Sequence, residues 1–249
     1  MHSENEVAAH IVDLQDLDKN KRLQAVMALG QMANVAALPA LLARLGAEPD
    51  FFVRDNVSWA LLRISDAAVL PLIAMLVDAD QVVRYHAAHS LSKLADARAV
   101  DALIATLDDT DLHVAQKAIY ALGRIRDARA LPALTSRLGN GSREAQNALH
   151  DALVAFGATA VPHLVAMREH ADIAVRVEVT EVLGAIGGSA VSAALAAAMT
   201  DAAWEVRFAA LNVMRDMHDP IVNHALVIAA QDEHVHVRLL ANRLLQERH

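Results

Sequence analysis

The feature that most constrains this chain is a phrase that returns eight times, at intervals of 30 to 32 residues. Each copy has a helix start, a Val-Arg pair or its remnant and, in nearly every copy, a leucine or methionine seven residues later. The residues in the arginine slot, which give the register of the repeats, are Arg22, Arg54, Arg84, Ala115, Ala145, Arg176, Arg207 and Arg238. A fixed period of this length is typical of a solenoid, because each unit buries its apolar face only against its neighbours.

Each copy carries two apolar stripes at helical spacing, which predict a Val-Arg helix followed by a Leu-Pro helix. The prolines that mark the start of the second helix, where a missing N–H costs little, are Pro39, Pro71, Pro132 and Pro162. The aspartates four residues before the arginine slot, where a carboxylate caps the Val-Arg helix, are Asp18, Asp50, Asp80, Asp111 and Asp172. We expect the neighbouring arginine to bond such a carboxylate across the seam between repeats.

Composition agrees with an all-α chain and excludes several other classes of protein. Hydrophobic residues make up 55% of the 249, with nine glycines and six prolines, so helix propensity is high throughout. The sequence contains no cysteine, which excludes disulfides, thiolate catalysis and cysteine-bound zinc. We find no signal peptide and no apolar run long enough for a membrane span. Because the net charge is −8 as well, we expect a cytoplasmic protein with neither membrane nor nucleic-acid partners.

The repeats predict one continuous domain over residues 1–249, with capping helices at 1–16 and 232–249. The clearest match between copies is Val83-Arg84-Tyr85-His86-Ala87-Ala88-His89-Ser90-Leu91 against Val206-Arg207-Phe208-Ala209-Ala210-Leu211-Asn212-Val213-Met214. These repeats resemble the HEAT-like repeats first associated with phycobilisome (bilin) lyases, from about Glu6 to Arg248. The resemblance implies an all-α, right-handed α-solenoid of about eight two-helix repeats, with the Val-Arg helices on the concave side. Members serve as protein-binding scaffolds, bilin lyases, hydroxylases or DNA glycosylases, and fold alone does not choose among these.

Two neighbouring copies depart from the consensus in the middle of the array. They carry Ala115 and Ala145 in place of the arginine, and the second enters its Val-Arg helix through Gly139-Asn140-Gly141. One interpretation is ordinary repeat drift repaired by alanine packing. The other is a local change of curvature or a hinge.

The surface of the Val-Arg helices that packing leaves uncovered carries the functional signal. Counted from the arginine slot, positions −3, −2, +1, +2, +5 and +9 should point away from the core, and we call this surface the free face. It holds both tryptophans, both tyrosines and three of the four phenylalanines, and large rings outside a core usually mark binding. The residues predicted to bind a partner or ligand are Phe52, Asn56, Trp59, Tyr85, His86, His89, His113, Lys117, Tyr120, Arg124, His150, Glu178, Glu181, Trp204 and Phe208.

Rings and charges on the free face follow an order along the repeats. The +5 slot of five consecutive repeats forms a stripe of Trp59, His89, Tyr120, His150 and Glu181. Repeats 1 to 5 present mainly cations, which are Lys19, Arg63, Lys93, Lys117, Arg124 and Arg143. Repeats 6 to 8 present mainly carboxylates, which are Glu178, Glu181, Glu205, Asp216 and Glu247. Such a pattern orients a partner and speeds its encounter, although an accidental segregation on a solvated surface is the alternative.

Three kinds of chemistry are alternatives to simple binding. His86, His89 and His113 are candidate ligands for a divalent metal, but the His-Glu dipeptides that HEAT-type deoxyhypusine hydroxylases use as iron ligands are absent from the sequence. A DNA glycosylase would have to hold phosphates against the negative net charge. A bilin-lyase-like protein would need rings to stack a linear tetrapyrrole, cations for its propionates, and histidine or tyrosine to handle protons. The residues that would do this are Tyr85, His86, His89, Lys117, Tyr120 and His150.

We therefore predict a protein-interaction scaffold that binds a partner protein or peptide on its concave, aromatic and histidine-rich face. Neither catalysis nor a cofactor or metal is expected. The alternative is a protein that handles a small ligand, such as a linear tetrapyrrole, in the same groove, with a lyase- or isomerase-like activity if it is an enzyme. Histidines on this face predict that binding changes between about pH 5.5 and 7.

Overall fold

In the computed structural model, which describes residues 4–248, all regular structure is helical. The α-helices are α1 (Glu4–Asp13), α2 (Lys19–Met32), α3 (Leu38–Ala47), α4 (Phe51–Arg63), α5 (Ser65–Ala74), α6 (Gln81–Leu94), α7 (Val100–Thr106), α8 (Leu112–Ile125), α9 (Leu131–Thr135), α10 (Arg143–Phe156), α11 (Val161–Ala166), α12 (Ile173–Ile186), α13 (Ser189–Ala198), α14 (Trp204–Val213), α15 (Pro220–Ala229) and α16 (Val235–Glu247). The even-numbered helices are the Val-Arg helices of the eight repeats. The predicted all-α solenoid of two-helix repeats is confirmed.

The Val-Arg helices begin where the sequence predicts. In five of them the aspartate of the cap position accepts a backbone N–H from the first turn, and these residues are Asp18, Asp50, Asp80, Asp111 and Asp172. Helix α10 is capped instead by Ser142, whose Oγ accepts the N–H of Ala145 at 3.3 Å. In the last repeat His234 occupies the cap position and makes no side-chain cap bond. Its imidazole is therefore available for other contacts.

The prolines follow the prediction with one exception. Pro39, Pro132 and Pro162 stand in the first turn of α3, α9 and α11. Pro71 instead lies inside α5, which already begins at Ser65, so the prediction that it starts the helix is wrong. The reason is local: residues ahead of α3, α9 and α11 form short 3₁₀ turns, whereas the corresponding residues of repeat 2 continue as α-helix.

Three of the repeat arginines bond an aspartate of the next repeat with the same geometry. Arg84 donates Nε to Asp109 Oδ2 at 2.7 Å and Nη2 to Asp109 Oδ1 at 2.8 Å. The same bidentate bond joins Arg176 to Asp201 and Arg207 to Asp232. The acceptor lies two residues before the cap position, so the prediction that the arginine bonds the capping aspartate is wrong. The capping carboxylate is already engaged by the N–H groups of its own helix.

Helices pack in two layers within each of two compact units, one ending at Asp127 and the other beginning at Ala128. In the first unit α2, α4, α6 and α8 pack side by side, and in the second α10, α12, α14 and α16 do the same. Leu-Pro helices form the other layer, and fully buried leucines such as Leu61 and Leu72 in the first unit and Leu183 and Leu195 in the second fill the space between. The unit boundary falls inside the repeat with Ala115, between its helices α8 and α9. The continuous domain over residues 1–249 remains a prediction, and so does the hinge suggested by Ala115 and Ala145. Of the predicted capping segments, residues 1–3 and 249 lie outside the described residues.

One segment, residues 143–169, is long and apolar enough to cross a membrane by length and composition alone. It is not one straight helix, because a 3₁₀ turn at Gly157–Ala160 separates α10 from α11. Gly157 has a φ of +58°, which favours glycine, and both α10 and α11 pack against α12. We therefore assign this segment to a two-helix repeat rather than to a membrane span.

Candidate functional site

The centre of the free face in the first unit is a lysine held between two tyrosines. Helices α6 and α8 lie side by side, so that Tyr85 of one meets Lys117 of the other. The Lys117 Nζ lies 5.3 Å from the ring centroid of Tyr85 and 5.1 Å from that of Tyr120, which is the range of cation–π attraction. Tyr120 is 50% exposed. Three predicted site residues are thus brought together on one accessible surface.

A polar network supports this group from α4 and α6. The His89 ring stacks on Tyr85 with centroids 6.4 Å apart, and its Nε2 lies 3.4 Å from Asp55 Oδ1. Lys93 Nζ contacts the same carboxylate oxygen at 2.5 Å. The hydrogen bond from Lys93 is the main reason why the pKa of Asp55 is lowered, while burial lowers the pKa of His89. The network thus contacts Tyr85 through the His89 ring, while Lys117 lies over the same tyrosine ring.

His86 departs from the prediction that it points away from the core, because it is only 8% exposed. Its Nε2 lies 2.9 Å from Arg54 Nη1 across the seam between α4 and α6. Arginine can only donate, so Nε2 must accept and the imidazole is neutral. Burial, and then the charge of Arg54, lower the pKa of His86 to about 4. A pH response of binding between about pH 5.5 and 7 therefore cannot come from His86.

Trp59 is half-buried, and its ring contributes to packing between α2 and α4. A Cβ placed on Gly30 of α2 would lie 2.3 Å from Trp59 Cζ3, so the indole fills the space that this glycine leaves. Glycine at this point permits the close approach of ring and backbone. Removal of the Trp59 ring would therefore leave a gap in the packing between α2 and α4.

The other predicted residues of the first unit lie around this centre. Phe52 is 63% exposed and its neighbour Phe51 is 76% exposed. Asn56 Nδ2 donates to the carbonyl of Phe52 at 2.8 Å, so the amide serves its own helix. His113 and Arg124 are exposed on α8. A cavity of about 30 Å³ between α4 and α6 is lined by Phe51, Arg54, Asp55, Ser58, Tyr85, His86 and His89.

The candidate metal ligands do not assemble. Within residues 4–248 no group of three or more histidine, aspartate or glutamate side chains could hold an ion. Two of the candidates are already engaged, because His86 bonds Arg54 and His89 bonds Asp55.

In the second unit Glu178 of α12 contacts the turn that precedes the Val-Arg helix of the repeat before its own. Its Oε2 accepts the backbone N–H of Gly139 at 2.8 Å, and burial raises its pKa despite that bond. The Glu178 carboxylate thus fixes the glycine turn that leads into α10, where Gly139 has a φ of +78°. Glu181 is exposed and His150 is half-buried.

The strongest ring cluster of the second unit joins α14 to the last repeat. Trp204 stacks on His234 with centroids 4.1 Å apart, and Phe208 and His236 lie 6.2 Å and 5.7 Å from the indole. A groove of about 570 Å³ beside it is lined by Trp204, Phe208, His236, Leu239, Leu240 and Arg243. Sequence reasoning missed His234, Leu239 and Leu240 as site residues. The available signals were a histidine in the cap position and leucines in the +1 and +2 slots.

Comparison with known proteins supports this architecture. A family model of HEAT repeats matches residues 8–77, 69–154 and 159–246. The bilin biosynthesis protein PecE of Mastigocladus laminosus is 48% identical over 56 residues, which cover 22% of this chain and only 21% of that protein.

Two solved structures are similar over nearly the whole chain. The complex of CpcE and CpcF of phycocyanin lyase from Nostoc sp. is 26% identical with a TM-score of 0.47, covering 97% of this chain and 94% of that one. Human deoxyhypusine hydroxylase in complex with glycerol is 21% identical with a TM-score of 0.44, covering 99% of this chain and 97% of that one.

Proposed function

This chain belongs to the HEAT repeat family, and we propose that it is a scaffold that binds a partner protein or peptide on the free face of its Val-Arg helices. That face is the concave side in our proposal, and the setting is the cytoplasm. The chemistry is recognition and not catalysis.

The observation that carries the proposal is the group of Tyr85, Lys117 and Tyr120. Tyr120 keeps half of its surface exposed although its neighbours Ile119 and Ala121 are buried in the core. Exposure of such a ring to water is unfavourable, and the ring contributes little to the free energy of folding. In protein interfaces, rings of this kind supply most of the binding free energy. Phe51 and Phe52 extend the exposed apolar surface to α4. The groove beside Trp204 offers a second anchoring point within the second unit.

Tyr120→Ala is the direct test. We expect the substitution to weaken peptide binding by about 2 kcal/mol, or roughly 30-fold, because truncation removes an exposed anchor and one wall of the Lys117 cage. Displayed random peptides would be selected on the immobilised full chain. The enriched peptides would then be titrated by fluorescence anisotropy against the parent protein and the variant.

Leu70→Ala is the matched control, because Leu70 is 62% exposed but lies on α5, in the Leu-Pro layer. It should leave peptide affinity unchanged. Both variants should melt close to the parent temperature. The proposal fails if the selected peptides bind Tyr120→Ala as tightly as the parent protein, or if Leu70→Ala weakens them equally.

A second candidate function, handling of a linear tetrapyrrole, is favoured by the identity with a bilin biosynthesis protein. The groove of about 570 Å³ beside Trp204 lies in the usual size range of small-ligand sites, whereas the 30 Å³ cavity between α4 and α6 is far too small. Mixing the protein with biliverdin would be expected to shift the visible absorbance of the pigment, and Trp204→Ala to abolish the shift. An unchanged spectrum would remove this candidate and leave the scaffold.

A further inference from the structure

Lys117 differs from the other three lysines of the chain in having no carboxylate partner. Lys19 pairs with Asp50 at 3.2 Å, Lys21 with Asp16 at 3.0 Å and Lys93 with Asp55 at 2.5 Å. Among residues 4–248 no carboxylate oxygen lies within the 4.0 Å of an ion pair from the Lys117 Nζ. Its ammonium is held only by two ring faces.

The rings fix the position of the charge without satisfying it. An ammonium has three N–H donors, and ring faces attract it electrostatically but accept no strong hydrogen bond. Tyr85 and Tyr120 therefore hold the Lys117 stem in one geometry and leave its donors available to an acceptor. A charge that is positioned in advance loses little side-chain entropy when it binds.

The surroundings favour a negative acceptor. The +9 slots of repeats 2 to 4 hold Arg63, Lys93 and Arg124 in a row beside the ring stripe, and Arg63 and Arg124 are exposed. In the +1, +2, +5 and +9 slots of the same three repeats Asp55 is the only carboxylate, and Lys93 and His89 already engage it. The free face of repeats 2 to 4 thus presents unpaired positive charge in a chain whose net charge is −8.

We propose that the partner of this face is an acidic peptide segment, and that Lys117, caged between Tyr85 and Tyr120, receives one of its aspartate or glutamate carboxylates. This inference rests on the proposed scaffold function and specifies its ligand. The carboxylate bonds the ammonium, and apolar groups of the same segment lie on the exposed edge of Tyr120 and on Phe51 and Phe52. A peptide is favoured over a nucleic acid because the net charge of the chain is −8, which repels a polyphosphate, and because the exposed rings match the apolar side chains of a peptide.

The test uses three fluorescein-labelled peptides that share their apolar residues and carry glutamate, glutamine or lysine at the polar positions. The parent protein should bind the glutamate peptide at least about tenfold more tightly than the glutamine peptide, and the lysine peptide least. In Lys117→Met the preference for glutamate should fall to near one while affinity for the glutamine peptide is kept. Lys21→Met is the matched control, since it removes the same charge from α2, outside the free face, and should keep the preference.

Several results would overturn the inference. They are equal affinity for the glutamate and glutamine peptides, a preference that survives in Lys117→Met, binding of none of the three peptides, or tighter Lys117-dependent binding of a labelled single-stranded oligonucleotide. The two proposals fail separately. Selected peptides that depend on Tyr120 but contain no acidic residue would keep the scaffold and remove the acidic ligand, whereas loss of Tyr120 dependence would remove both.

Discussion

Arg207→Ala is expected to lower the free energy of unfolding by about 3–5 kcal/mol, because it leaves a buried carboxylate without its partner. Arg207 is 6% exposed, and it reaches both oxygens of Asp232, at 2.8 and 2.9 Å. Burial by itself would raise the pKa of Asp232, but the bonds from Arg207 and from the N–H of His234 outweigh it and lower the pKa. The truncation also removes the donor that Nη1 gives to the carbonyl of Asp201 at 2.8 Å.

Urea denaturation of the full chain, followed by circular dichroism, would measure the loss. Arg243→Ala is the control in the same unit, because Arg243 pairs with Glu247 on the surface of α16 with 68% of its side chain exposed. An exposed pair of this spacing contributes only about 0.3–0.5 kcal/mol. If Arg207→Ala cost no more than Arg243→Ala, the bond between repeats would count as an ordinary surface pair.

The period of the repeats was sufficient to predict the layers, the eight Val-Arg helices and five of their caps. These features depend on local pattern, since helix spacing and capping aspartates act within a few residues. The partner of the arginine could not be predicted in the same way. Two aspartates two residues apart can occur in the same loop, as with Asp109 and Asp111, and only the folded geometry decides which one caps the helix and which one bonds across the seam.

The slot of each residue in the repeat predicted the members of the candidate site, and the structure corrected which of their side chains turn into the seam between helices. Helical position placed Tyr85, Lys117 and Tyr120 on one surface, where the structure brings them together. It could not distinguish a residue at the edge of the free face from one turned into the seam. The +2 slot lies at that edge, so Lys117 is partly exposed whereas His86, in the same slot one repeat earlier, is buried.

His86 replaces a carboxylate as the partner of a repeat arginine. Arg54 donates Nε to the carbonyl of Glu48 at 2.7 Å and Nη1 to His86, while the side chain of Glu48 is engaged by Arg22 and Arg44. A carboxylate at this seam would keep its charge down to low pH. The neutral imidazole of His86 loses its bond to Arg54 when it is protonated, because protonation places two cations in contact.

Acid is therefore expected to destabilise the fold through His86 by about 3 kcal/mol between pH 6.5 and pH 4. The pKa of His86 is 6.5 in the unfolded chain and about 4 in the folded one, and a difference of about 2.5 pH units at 1.36 kcal/mol each gives this value. In that window the unfolded chain binds a proton that the folded chain does not. The contribution is thus fully present above pH 6.5 and is lost as the pH falls toward 4.

His86→Gln isolates this effect, because the glutamine carbonyl can accept the bond from Arg54 without titrating. The free energy of unfolding of both proteins would be measured by urea denaturation at a series of pH values. Carboxylates such as Asp109 and Asp201, whose pKa values are lowered in the fold, contribute equally to both proteins and cancel in the difference. His113→Gln makes the same substitution at an exposed histidine of α8 and is the matched control variant. Parallel curves for His86→Gln and the parent would mean that the seam tolerates a charged imidazole. A parent curve that falls about 3 kcal/mol further than the His86→Gln curve between pH 6.5 and pH 4 would show that protonation of this imidazole destabilises the seam between α4 and α6.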